Sequence, residues 1–184
     1  IEAVCKESGV SLGQLDAVAV SNGPGSYTGL RIGLATAKGL CFALDIPLIT
    51  LNTLKIMANA WKDIPKNTLL LPMMDARRME VYAAVFDGAY NETIVETQAI
   101  ILESNSFTNL KQPIIAFGNG ALKWKDLCEN KWITFSEENP YPQAKFMGRD
   151  AERAFSVQNF ASLVQAEPEY LKEFMGSKPK SKAL

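Results

Sequence analysis

The run from Ser21 to Gly33 leaves the backbone few paths. Just before it, Ala17-Val18-Ala19-Val20 is a short apolar run with β-branched residues, which reads as a buried strand. Gly23, Pro24 and Gly25 suit neither strand nor helix and force a turn. Ser26 or Thr28 supplies a cap for the helix that follows. The order is therefore strand, tight glycine turn, helix.

That helix is expected from Tyr27 to Leu44. At about 100° per residue, Gly29, Gly33, Thr36, Ala37, Leu40 and Leu44 share one side. Leu30, Leu34 and Cys41 flank it, and Ile32, Ala35, Gly39 and Ala43 flank its other edge. Arg31, Lys38 and Asp45 form the only polar seam. A helix resting on one sheet needs a single apolar stripe. This one is small or apolar nearly all round, so cover is expected on two sides. Two arrangements provide it: burial at the centre of one domain, or a sheet on one side and a partner subunit on the other. Each glycine costs about 1 kcal/mol of helix propensity and permits close backbone approach. In the second arrangement the interface comprises Gly29, Leu30, Arg31, Gly33, Leu34, Ala37, Lys38 and Cys41, with Arg31 and Lys38 meeting partner carboxylates.

Free N–H groups at a helix start attract anions. Gly23, Gly25, Ser26 and Thr28 are therefore candidate anion or nucleotide contacts. The spacing matches neither familiar phosphate loop. Leu30 stands where a Walker loop needs Lys, and Gly23, Gly25 and Gly29 are one residue out of register with the dinucleotide fingerprint.

Composition excludes several chemistries. The 184 residues suffice for one domain or two small lobes, and a net charge of −1 gives no overall bias toward nucleic acid. There is no histidine, which removes His-based acid–base catalysis, His metal ligands and any Ser-His or Cys-His pair. Cys5, Cys41 and Cys128 are odd in number and far apart. They suggest no metal site and no disulfide framework, and read as buried thiols of a reducing cytoplasm. No apolar run approaches the ~20 residues that span a bilayer, so no membrane partner is expected. Ile1 to Gly9 reads as the last turns of a helix closed by Gly9, with further residues expected upstream.

Further along, strands are expected at 46–50, 68–74, 80–86, 93–101, 114–117 and 132–135, and helices at 54–61, from 104 or 106 to 110, and at 121–128. An amphipathic helix is expected at 143–157, with Phe146, Ala151, Ala154 and Phe155 inward, and a helix-like stretch at 160–164. Pro168 keeps the next segment extended. Residues 1–62 read as one lobe, 63–175 as a second, and 176–184 as a disordered tail whose three lysines either touch RNA or are merely solvated. Asp75, Arg77 and Arg78 sit at a hairpin tip, as a site or as a self-paired solvated cluster.

These residues resemble a known family. Ser21 to Gly33 looks like the signature of the TsaB, or YeaZ, family of tRNA threonylcarbamoyladenosine biosynthesis proteins. Asp75-Ala76-Arg77-Arg78-Met79-Glu80-Val81-Tyr82 is similar to the family hairpin, with Asp75, Arg77 and Glu80 on its motif positions. Phe117 to Gly120 resembles its second glycine turn, and Ala166 to Lys172 its near-terminal segment, with Lys172 in place of the commoner Arg. The resemblance implies an α/β, actin-like ATPase fold of two lobes, the first lobe's opening strands lying outside this sequence. It further implies a cytoplasmic, non-catalytic subunit that dimerises, with itself or with the catalytic TsaD-type subunit, through the helix after the glycine motif. A TsaE-type ATPase joins the assembly, tRNA is met indirectly, and no cofactor is expected beyond weak ATP or ADP contact within the complex. The histidine metal motif of the catalytic paralogue has no counterpart here.

The competing reading is an actin-like ATPase or small-molecule kinase using the glycine turn and Asp75. Such enzymes hold Mg-ATP with several carboxylates, and only Asp75 is well placed for that. A third reading, a proteolytic regulator, lacks a nucleophile–base pair.

Overall fold

The computed structural model describes residues 1–89, 92–138 and 140–172. The expected tail lies outside them. Two sheets organise the chain. In the smaller, β1 (Val18–Gly23) pairs in parallel with β2 (Leu48–Asn52). A parallel pair needs a crossover, and α2 (Tyr27–Leu44) supplies it. Ser26 caps α2 by accepting from the Gly29 N–H, and left-handed Asp45 ends it. Helix α3 (Thr53–Ala58) follows at once, its Leu54 and Lys55 N–H groups capped by the Asn52 side chain.

The larger sheet has the order β5-β4-β3-β6-β7. Its members are β3 (Leu69–Asp75), β4 (Glu80–Asp87), β5 (Thr93–Ile101), β6 (Ile114–Phe117) and β7 (Ile133–Phe135). The β3–β4 and β4–β5 pairs are antiparallel, whereas β3–β6 and β6–β7 are parallel. Central β3 is apolar at almost every position because both its faces are covered. Leu69, Leu71 and Met73 join the core around Trp124, while Leu70 faces Leu54, Met57 and Phe117 on the α3 side. Helix α1 (Glu2–Ser8) ends at left-handed Gly9, as expected.

Four expected helices come out differently. Residues 104–110 are turns, and 121–128 tighten to a single 3-10 turn, Leu122–Trp124. Trp124 is pulled inward there, its Nε1–H donating to Glu103 O at 2.9 Å. The 143–157 stretch is a 3-10 turn followed by α4 (Gly148–Ser156). Asn59 Nδ2 donates to the Phe146 carbonyl, the acceptor that a continuous helix would use. Phe155 is 41% exposed rather than inward. Residues 160–164 are not helical: the Ala161 N–H donates to Leu48 O, an antiparallel bridge to β2. The chain thus returns to the small sheet after completing the large one.

Candidate functional site

Helix α2 has two unlike faces. Leu34, Ala37 and Cys41 are buried with Leu48, and Val18, Val20, Ala161, Leu163 and Ala166 close around them. Burial pushes the Cys41 thiol up. The other face carries Ile32, Ala35, Thr36, Gly39, Phe42 and Ala43, all exposed. Their helical spacing makes one continuous stripe. Ile32 is 63% and Phe42 83% exposed, and a Cβ on Gly39 would meet nothing within 4 Å. A mostly apolar exposed helix face of this kind is a candidate docking surface.

The expected interface residues divide between the two faces. Leu34, Ala37 and Cys41 pack inward, because β1 and β2 lie beneath them. Half-buried Gly33 would place a Cβ 3.8 Å from Val20, and half-buried Leu30 lies against Gly25, while Gly29 is exposed. Arg31 and Lys38 are engaged within the chain. Lys38 Nζ donates to Ala166 O at 2.9 Å, and Arg31 Nε donates to Tyr170 Oη at 3.0 Å. The Arg31 guanidinium also sits 4.3 Å above the Tyr27 ring. In the sequence Ile32 falls on a flank of the expected apolar side, and Phe42 lies outside the expected interface. The available signal was the series Ile32, Ala35, Gly39 and Phe42, stepping by three, four and three residues along one stripe.

The closing segment, Ala166 to Lys172, straps the glycine turn. The Glu169 N–H donates to Asn22 O at 2.7 Å. Gly23 has φ +133°, and a Cβ there would lie 2.7 Å from Glu169 O, so only glycine fits beneath the strap. Of the candidate anion contacts, Gly23 is therefore covered, Gly25 is half-buried and the Ser26 hydroxyl accepts from Gly29 N–H. Thr28 is exposed. Tyr170 stacks on Tyr27 with centroids 5.0 Å apart, and Lys172 forms an ion pair with Glu80. The strap thus ties α2 to the large sheet.

The family-like hairpin joins β3 to β4. Asp75 Oδ1 accepts from the Arg77 N–H at 3.0 Å and pairs with Lys123, which holds the carboxyl below its ordinary range. Lys123 also donates to Glu80 O, and Asn119 Oδ1 accepts from the Asp75 N–H at 2.9 Å. Arg77 and Arg78 both adopt left-handed backbone, φ 73° and 51°, and both are exposed. The sequence marked Asp75 but not Lys123, 48 residues away. Between the sheets lies a cavity of about 360 Å³ lined by Asn52, Lys55, Phe86, Thr93, Glu96, Thr97 and Glu169. Burial lowers the Lys55 ammonium, which sits 4.9 Å from the Phe86 ring centre. Among the described residues no His, Cys, Asp or Glu cluster is suited to a metal ion, and no helix is long and apolar enough to cross a membrane.

The family model for TsaD, tRNA N6-adenosine threonylcarbamoyltransferase, matches residues 1–182. The tRNA threonylcarbamoyladenosine biosynthesis protein TsaB of Escherichia coli K12 is 32% identical over 181 residues, covering 94% of this chain and 77% of that protein. The chain belongs to the TsaB (YeaZ) family. TsaB of Bacillus subtilis is 29% identical over 171 residues, covering 85% of this chain and 74% of that protein. A Pseudomonas aeruginosa crystal structure, described as an uncharacterized protein with similarity to peptidase YEAZ, aligns with a TM-score of 0.77 at 24% identity. It covers 93% of this chain and 80% of that one. That likeness concerns the fold, and the chain has the actin-like α/β fold of the TsaB family.

Proposed function

We propose that this chain is a non-catalytic subunit for threonylcarbamoyl modification of tRNA adenosine, acting in the cytoplasm beside a TsaD-type catalytic subunit. It docks through the exposed stripe of α2, pairs with itself when alone, and works with a TsaE-type ATPase. The observation carrying this reading is the uncovered face itself, with Phe42 83% and Ile32 63% exposed on a helix whose other side is already packed. Leaving such side chains in water forfeits roughly 1.5–3 kcal/mol for each large one, and an apposed subunit recovers it. Glycine and alanine at 35, 39 and 43 allow that subunit close approach. The strap over Gly23 and the commitment of Asp75 to Lys123 favour a binding role over phosphoryl transfer. Any ATP or ADP contact is assigned to the assembled complex.

Ala35→Glu tests the reading. A charge at this exposed position leaves the fold intact and is expected to abolish co-purification with the catalytic subunit. Wild-type recovery of that subunit would refute docking through this face.

A further inference from the structure

The hairpin tip between β3 and β4 is not absorbed by a docking role for α2. Its two acids are already neutralised: Asp75 by Lys123 and Glu80 by Lys172, lysines brought in from distant parts of the chain. Arg77 and Arg78 are left as a surplus of positive charge on a chain whose net charge is −1. No ion pair engages either arginine among the described residues. Both are held in left-handed backbone, which side-chain-bearing residues adopt at a cost. The Asp75 carboxylate fixes that geometry by accepting the Arg77 N–H, and the Ala76 N–H to Glu80 O and Glu80 N–H to Arg77 O bonds close the tip. Two adjacent, exposed arginines on a hydrogen-bonded tip suit phosphate oxygens, which guanidiniums bind through paired N–H donors. Relatives' names concern tRNA, so the anion of matching chemistry is a polynucleotide backbone.

We infer that the Arg77–Arg78 tip is a direct contact for the tRNA phosphate backbone, carried by this chain itself. This deepens the subunit reading and rests on it. Phosphate contacts add affinity without sequence preference and make it salt-dependent.

The test measures anisotropy of fluorescein-labelled total tRNA across a salt series from low ionic strength, using the full chain. Arg77→Asn/Arg78→Asn removes both charges while keeping residues that tolerate positive φ. Lys66→Ala/Lys111→Ala removes the same charge from exposed positions preceding β3 and β6. These strands run parallel, so both lysines lie at the opposite end of the sheet from the tip. The arginine variant is expected to bind about tenfold more weakly at low salt, with a log–log salt slope shallower by about one for each arginine. The lysine variant is expected to match wild type, and Arg77→Lys/Arg78→Lys to recover most of the binding. Equal losses in the two neutral variants, an unchanged slope, or no binding by wild type would overturn the assignment. Loss of the catalytic subunit with tRNA binding retained would also overturn it, giving the tip to an acidic protein surface. Failure of the subunit reading is scored separately, by co-purification of wild type and the Ala35 variant.

Discussion

Replacing Ile32 and Phe42 together by alanine separates what α2 does for its own fold from what it does for a partner. Full burial of a large apolar side chain contributes roughly 1.5–3 kcal/mol. In the chain alone, 83% of Phe42 and 63% of Ile32 remains in water. Covering the remainder therefore yields about 2 kcal/mol for Phe42 and somewhat over 1 kcal/mol for Ile32. The double variant should weaken association by about 3 kcal/mol, roughly 100-fold in Kd. A two-fold symmetric self-dimer contains each side chain twice, so it should lose more. The chain's own stability should change by no more than about 0.5 kcal/mol. Leu34→Ala, from the packed face at 3% exposure, should do the reverse and cost about 2–5 kcal/mol of folding stability. Sedimentation velocity reads the self-dimer, calorimetric titration reads the catalytic subunit, and urea unfolding reads the fold. Unchanged association in both assays would refute the argument. So would a loss of stability comparable to that of Leu34→Ala, which would place the stripe inside the molecule.

Gly118→Ala should destabilise the fold by about 2–4 kcal/mol, because φ is +96° and a Cβ would lie 2.3 Å from Met73 O; an unchanged urea midpoint would contradict this. Asp75→Asn should alter the acid limb of stability. Lys123 depresses the folded-state value of Asp75 below 3.8, so its stabilisation is complete above that value and lost as pH falls through the lower one. Wild type should therefore lose more stability than the variant below about pH 4. Asp75 is 45% exposed, so screening keeps the effect small; parallel unfolding curves for the two proteins would show that the pair contributes nothing.

Local chemistry made much of the fold readable. Both ends of α2 follow from a serine after the glycine turn and the polar Asp45 before Pro47. The expected strand at 93–101 matches β5, and the strongly apolar run at 68–74 marked β3. Three of the four misread helices were redirected by a distant group: Glu103 O for Trp124, Asn59 for Phe146, and Leu48 for Ala161. No window of sequence contains both partners of such contacts.

The candidate site shows the same division. By itself the sequence determined that α2 is apolar nearly all round, that a glycine turn opens it, and that a charged hairpin follows. It did not determine which side of α2 faces inward, because a helix with apolar residues at most angles carries no clear phase. Only the tertiary structure chose, by laying β1, β2 and the returning chain against Leu34, Ala37 and Cys41 and leaving Ile32 and Phe42 in solvent. It likewise joined Arg31 to Tyr170 across 139 residues and Glu80 to Lys172 across 92. Contacts between groups so far apart in sequence form only when the whole chain closes, so the strap, the neutralised acids and the exposed arginine tip are properties of the fold.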